Sequence, residues 1–248
     1  MRYLILSDIH GNLEALDAVL AHAAAQEFDN ALVLGDLVGY GADPNAVVDA
    51  IRALDPISII RGNHDKVAAR LEGAEAFNIA ARKAISWTTE TLTEKNLEYL
   101  AALEEGPLLV DDQVEICHGA PSDEDEYLFE VRDAVRALRD AKRAICFFGH
   151  THVQIVYQLS DEGELDVSGS DASSARRLSL LGSHKYLINP GSIGQPRDGD
   201  PRAAYGLLDS EIQELKLFRV SYAVDRAQAK IRQAGLPEVL ASRLAVGR

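Results

Sequence analysis

The sequence predicts an α/β fold, a four-layer sandwich of two packed mixed β-sheets flanked by α-helices. Three observations lead there. The chain opens with a β-α-β-α-β pattern, which calls for parallel strands joined by right-handed crossovers. Between residues 153 and 219 the pattern changes to short strands of antiparallel character. The 248 residues are 47% apolar, enough for a sizeable core, and no repeat or linker interrupts them, so one domain over 1–248 is expected.

The elements follow in order. Residues 2–7 read as a buried strand, and Gly11 provides the turn into a helix from Asn12 to about Glu27, with Leu13, Leu16, Val19, Leu20 and Ala23 at helical spacing. A strand over 31–34 leads into Gly35-Asp36-Leu37-Val38-Gly39-Tyr40-Gly41. Asp43 then suits an N-cap and Pro44 the first turn of a second helix. A third strand covers 57–60. Residues 65–104 read as two or three helices, with Thr93-Glu94-Lys95-Asn96 as a helix start. This block is either a helical cover over one side of the polar site described below or an ordinary packing layer. Strands resume at 107–110 and 113–117, followed by a helix at about 130–141 and a strand at 144–148. Further strands are expected at 153–159, 164–167, 178–181, 185–188, 203–208 and 212–219, with the small polar stretch 168–175 as a hairpin tip. Helices at about 222–233 and 237–245 close the chain. They could cap the sheet or meet a twin subunit, so oligomerisation stays open.

The net charge is −14. Such a balance repels nucleic acid phosphates, and no stable nucleic-acid binding is expected, although bound dications could still reverse the field around a single phosphate. The dense acidic patch Ser122-Asp123-Glu124-Asp125-Glu126 reads as a solvated loop. Cys117 and Cys146 lie inside apolar runs and read as small buried hydrophobes, which fits a reducing compartment. With a strand beginning at residue 2, no secretory leader is expected. No apolar run approaches the roughly 20 residues that span a bilayer. A cytoplasmic protein without membrane association is therefore expected.

Five apolar runs each stop at a residue type that binds metal: YLILS before Asp8, ALVLG before Asp36, ISIIRG before Asn63, VEIC before His118 and AICFFG before His150. His10 and His152 follow two residues after the first and last of these stops. In open α/β sheets ligands bind at the carboxyl ends of strands, so these segments converge on one polar site. Asp8 or Asp36 alone would suit a helix N-cap, and a single histidine after a strand is more often structural. Caps, however, do not require histidine at three separate strand ends. Carboxylate, imidazole and amide donors suit a pair of borderline dications, which together clamp the attacking and leaving oxygens of a phosphoryl displacement. The lack of clustered cysteine argues against structural zinc. His22 falls on a helix and reads as surface, and His184 as structural. The loop Asn189-Pro190-Gly191-Ser192-Ile193-Gly194-Gln195-Pro196-Arg197 is shaped by proline and glycine, and Arg197 is either a phosphate contact or an exposed arginine on a turn.

Asp8-Ile9-His10-Gly11-Asn12, Gly35-Asp36, Gly62-Asn63-His64-Asp65, His118-Gly119 and Gly149-His150-Thr151-His152 occur in an order that resembles the calcineurin-like metallophosphoesterases. The resemblance covers residues 8–152 and implies a metallophosphatase-like fold. It implies that Asp8, His10, Asp36 and His152 hold one metal, and Asp36, Asn63, His118 and His150 a second, with Asp36 bridging. The cofactors implied are two divalent transition metal ions (Mn, Fe or Zn), and the nucleophile implied is a metal-bound water. His64 matches the family's catalytic histidine, as general acid or charge stabiliser at the leaving group. Asp65 matches its orienting partner, and Asn12 a position that hydrogen-bonds phosphate. Gly39-Tyr40-Gly41 departs from the Asp-Arg-Gly of protein phosphatases and symmetrical diadenosine tetraphosphatases, and Asp65 stands where protein phosphatases have Glu. Both departures favour the small bacterial phosphodiesterase or phosphatase branch, in which the Arg197 loop also has a counterpart near the active site. The expected activity is metal-dependent hydrolysis of a small phosphodiester or phosphomonoester. The alternatives are a phosphoprotein or dinucleoside polyphosphate phosphatase and, from another class, a non-catalytic protein-binding scaffold on the same fold.

Overall fold

The computed structural model describes residues 1–169, 171 and 173–248. In chain order its elements are β1 (Arg2–Leu6), α1 (Leu13–Ala23), β2 (Asn30–Val33), α2 (Pro44–Arg52), β3 (Ile57–Ile59), α3 (Asn63–Ala68), α4 (Ile79–Thr91) and α5 (Glu94–Ala101). They continue with β4 (Leu108–Leu109), β5 (Val114–Ile116), α6 (Val131–Asp140), β6 (Ile145–Phe147), β7 (Ile155–Leu159), β8 (Leu165–Gly169), β9 (Ala175–Ser179) and β10 (Lys185–Asn189). The last are β11 (Ala203–Asp209), β12 (Glu214–Val220), α7 (Val224–Gln233), α8 (Glu238–Ser242) and a 3-10 turn, Arg243–Val246. Among the described residues no helix is long and apolar enough to cross a membrane.

Two six-stranded sheets form, in the orders β3-β2-β1-β11-β12-β9 and β4-β5-β6-β10-β7-β8. β1, β2 and β3 run parallel in the first, and β5, β6 and β10 in the second. Side chains alternate across each strand. Tyr3 and Ile5 of β1 therefore face the second sheet, where Ile116, Ile145, Phe147 and Ile188 meet them. Leu4 and Leu6 face the other way and pack with Leu16, Val19, Val47 and Ile51 of α1 and α2. Ala134, Ala137 and Leu138 of α6 cover Cys146, Phe148 and Leu187 on the far side of the second sheet. These layers are the sandwich the sequence predicts.

Two local expectations change. Asp43 does hold the N-cap position of α2, but its side chain makes no cap bond and instead accepts from Lys230 Nζ at 2.8 Å, tying α7 to the loop before α2. The stretch 168–175 is not a hairpin tip. β8 pairs with β7 in one sheet while β9 pairs with β12 in the other, so the described residues around it form a crossover between sheets, and Ser170 and Ala172 lie outside the described residues. Pairing along β12 also starts β9 at Ala175, earlier than the expected 178.

The loop after β10 is pinned to the sheet by charge. Arg219 of β12 pairs with Asp198, both side chains being almost fully buried, and the same carboxylate oxygen accepts from Gln154 N at 3.1 Å. Removing one partner strands the other charge in the interior. Asp198→Ala is therefore expected to lower the unfolding free energy by about 3–5 kcal/mol in urea titrations. A loss below about 1 kcal/mol would show that this pair does not anchor the loop.

Candidate metal centre

The carboxyl ends of the six parallel strands, three from each sheet, meet at one edge of the sandwich, and the expected donors lie there. The backbone turns them inward by an uncommon route. Asp8, His10, Asp36, His150 and His152 all have left-handed backbone, with φ of 52°, 50°, 54°, 65° and 59°. Non-glycine residues rarely adopt this region, and it usually marks a functional constraint. The turns brace one another. Ile9 N and His10 N both donate to Asp36 O at 2.9 Å, His64 N donates to Asp36 Oδ1 at 2.8 Å, and His150 N donates to Asp8 Oδ1 at 3.1 Å. Space is equally tight: a Cβ on Gly62 would lie 2.2 Å from Asp36 Oδ1.

Two groups of donors result, Asp8–His10–Asp36–His152 and Asp36–His118–His150, and they share Asp36. His10 Nε2 is 3.4 Å and His118 Nε2 is 3.5 Å from Asp36 Oδ2, while His152 Nε2 is 3.4 Å from Asp8 Oδ1. Asn63 Oδ1 joins the second group, 3.3 Å from His118 Nε2. Ligands about 2.1 Å from one ion are spaced by roughly 3–3.4 Å, so these separations suit coordination.

The tautomers suit it as well. His10, His118 and His152 each donate from Nδ1 to a backbone carbonyl, of Val38 at 3.0 Å, Leu34 at 2.7 Å and Gln195 at 2.7 Å. Each ring thereby points Nε2 at the centre, the usual way in which a protein orients ligating imidazoles. His150 is turned around: Nε2 donates to Asp125 O at 3.1 Å, leaving Nδ1 for the centre. His10 Nε2 and His152 Nε2 face each other at 3.0 Å, two lone-pair atoms that a cation would reconcile.

Burial pushes His150 down to about 3 and holds His10 and His152 well below the ordinary imidazole range, so all three are neutral. His118 behaves oppositely. Burial disfavours its charge, but the Asp36 carboxylate, with help from Asp8, outweighs that and raises it to about 10. Burial likewise opposes ionisation of Asp36, yet the charged His118 ring beside it holds it well below the usual carboxylate range. A hard-to-borderline donor set, preformed and free of thiolate, fits divalent transition metals.

A model of the calcineurin-like phosphoesterase superfamily domain matches residues 1–212. The chain belongs to that superfamily. An uncharacterized protein, MJ0912, of Methanocaldococcus jannaschii is 37% identical over 98% of this chain and 97% of its own length. The crystal structure of a metallophosphoesterase from Sphaerobacter thermophilus superimposes with a TM-score of 0.86 at 37% identity, covering 100% of this chain and 99% of that one. A hypothetical protein, PH1004, from Pyrococcus horikoshii OT3 has the same fold, with a TM-score of 0.79 at 21% identity over 100% of this chain and 98% of that one. The family is metal-dependent, and the two donor groups are where this chain can bind metal.

The other expected site residues divide. Arg197 lies next to the centre: its backbone N donates to His152 O at 3.1 Å, Gln195 Oε1 accepts from its Nη2 at 2.9 Å, and its guanidinium lies 5.8 Å from the Tyr40 ring centroid. His64 is buried beside His10 and packs against Tyr40 and Phe77, with ring centroids 4.4 and 4.5 Å away. Burial lowers His64 to about 4, so its ring is neutral. Asp65 does not orient it. That carboxylate accepts from the backbone N–H groups of Leu37 at 2.9 Å, Val38 at 3.2 Å and Gly62 at 3.0 Å, and so fixes the Asp36 loop. His64 Nδ1 has no hydrogen-bond partner among the described residues and lies where a Cβ on Gly39 would come within 2.3 Å. Asn12 is also committed elsewhere: Oδ1 caps α1 through Ala15 N, and the amide hydrogens go to Gly194 O at 2.9 Å and Tyr222 OH at 3.3 Å. No free donor remains for a phosphate.

The acidic patch is a loop, exposed at Ser122, Asp123 and Asp125 as expected, but it is also tied down by cations. Glu124 and Asp125 clamp the buried Lys66 ammonium at 3.1 and 2.5 Å, and Arg61 Nη2 sits 3.0 Å from Glu124. This network positions the Asp125 carbonyl that orients His150. The sequence reading also missed Tyr127, whose ring stacks on His150 at 3.7 Å, and Arg243, which lies close enough to Arg197 to be lowered by it, burial being the larger cause. Neither carries a local signal, because both arrive through tertiary folding.

His118 must lose a proton to become a ligand. Its raised value places that proton on the ring at any pH below about 10, so metal uptake at pH 7.5 is expected to release a proton and to tighten as pH rises. Titration calorimetry in buffers of differing ionisation enthalpy measures this, and uptake without proton release would contradict it.

Proposed function

We propose that the chain is a hydrolase of small phosphoesters that works with two divalent ions, one at each donor group. The observation that carries this reading is the sharing of Asp36 between the two groups. A single site needs no such shared carboxylate, whereas a pair of ions flanking one phosphorus does. The bound ions would supply Lewis acidity and a water of lowered pKa.

The chain's own residues supply the rest. Arg197, held by Gln195 against Tyr40, would bind non-bridging phosphate oxygens, for which a guanidinium fork is well shaped. His64 is neutral, and its Nδ1 is enclosed against Gly39, so Nε2 is the nitrogen left for the substrate. A ring protonated there can donate to the leaving oxygen as negative charge develops on it. Tyr40 and Phe77 wall this histidine off from bulk water, which strengthens each of these contacts. A protein-binding scaffold would need neither the complete donor groups nor an enclosed histidine beside them.

With Mn²⁺ added, the protein is expected to cleave bis-p-nitrophenyl phosphate or p-nitrophenyl phosphate. His64→Ala is expected to retain metal while lowering kcat by about 100-fold or more. Failure of the unmodified protein to bind metal and turn over either ester would sink the reading and favour the scaffold. An unchanged kcat in His64→Ala would remove only that residue's role. Gly39→Ala, which forces an atom against the His64 ring, is expected to lower kcat in the same direction without altering metal content.

A further inference from the structure

The loop between β5 and α6 carries two aromatic rings outward from the metal centre. Tyr127 stacks on His150 at 3.7 Å, and Phe129 stacks on Tyr127 at 5.0 Å with the ring planes only 7° apart. Both remain open to solvent, Tyr127 42% and Phe129 66% exposed. A phenylalanine left so exposed contributes little to folding, and its stack on Tyr127 joins it to the polar centre.

The loop that presents these rings is rigidly held. Lys66 and Arg61 pin Glu124 and Asp125, Arg136 pairs with Glu126, and Ala120 and Asp123 exchange backbone hydrogen bonds. The rings are therefore placed before any ligand arrives, and little ordering entropy opposes binding on them. Arg197 lies beside both the Tyr127 hydroxyl and the Tyr40 ring. A phosphate bound to Arg197 would therefore sit beside Tyr127, with Phe129 next to it.

We propose that Phe129, backed by Tyr127, forms a stacking shelf for the base of a nucleoside phosphoester, and that this base is what the protein selects beyond the phosphate. The proposal rests on the phosphoesterase reading for the chemistry at phosphorus. Tyr127 is covered by His150 at 3.7 Å and by Phe129 at 5.0 Å, so the face left for a ligand is that of Phe129, and a planar ring covers that face more completely than an aliphatic substituent does. Stacking of this kind is tolerant of base identity, because every base has a π-face. The continuity of the shelf with a metal-ligating histidine points to a small substrate seated at the centre and away from a distant macromolecular partner.

The test compares adenosine 5′-monophosphate with ribose 5-phosphate, which differ only in the base. Titration calorimetry on Mn²⁺-loaded His64→Ala protein keeps turnover from consuming the ligand. The nucleotide is expected to bind about tenfold more tightly. Phe129→Ala in the same background is expected to bring the ratio of the two dissociation constants close to one, and Phe129→Trp to preserve it. Equal binding of the two ligands, no binding of either, or a ratio unmoved by Phe129→Ala overturns the shelf. Turnover of bis-p-nitrophenyl phosphate by the unmodified protein separates the two readings. Turnover without a base preference removes the shelf and keeps the hydrolase, whereas a Phe129-dependent preference without turnover removes the hydrolase and keeps the shelf.

Discussion

Left-handed backbone at the strand ends is the constraint on which the centre depends. Asp8, His10, Asp36, His150 and His152 leave their strands in a conformation that each side chain disfavours. Such positions cost about 1–3 kcal/mol apiece and last only where the surroundings fix them. Here the fixing is mutual: the Asp36 carbonyl takes two N–H groups from the Asp8 turn, and the Asp8 carboxylate takes the N–H of His150 in the other sheet. The packing of the two sheets against each other is thus also what holds the donors together. Asp65 belongs to the same brace, since its carboxylate ties the Asp36 loop to Gly62.

That brace explains which parts of the molecule were legible in the sequence. The strands and their polar stops were readable because each is a local pattern: a short apolar run, a donor and an adjacent glycine. The two sheets followed from the switch from β-α alternation to antiparallel runs. Long-range features were not readable in this way. Nothing near Asp65 says that its carboxylate will meet backbone N–H groups and leave the His64 ring alone. Nothing in the acidic run at 122–126 announces Arg61 and Lys66, which come from just after β3 and from α3 respectively. The strands on either side of 168–175 look like a hairpin until pairing with β12 takes the second into the other sheet.

The electrostatics of the centre run against those of the chain. A protein with net charge −14 keeps three of the imidazoles at the centre neutral by burial and places the charged one among them, His118, beside the shared carboxylate. In the absence of metal that proton does the work of a cation between Asp36 and Asp8. In the proposed function, exchange of that proton for dications would make the centre positive enough to draw a phosphate toward Arg197 through an otherwise repulsive surface. The aromatic rings of Tyr40, Phe77 and Tyr127 bound this small cationic region, so the field acts where water is sparse.

The central claim is that Asp36 joins two ion sites into one centre. Anomalous diffraction from crystals loaded with Mn²⁺ tests it most directly. The account predicts two peaks about 3.5–4 Å apart with the Asp36 carboxylate between them. The Asp8, His10 and His152 side chains should surround one peak, and Asn63, His118 and His150 the other. A single peak at saturating metal, or two peaks that do not share Asp36, would contradict it.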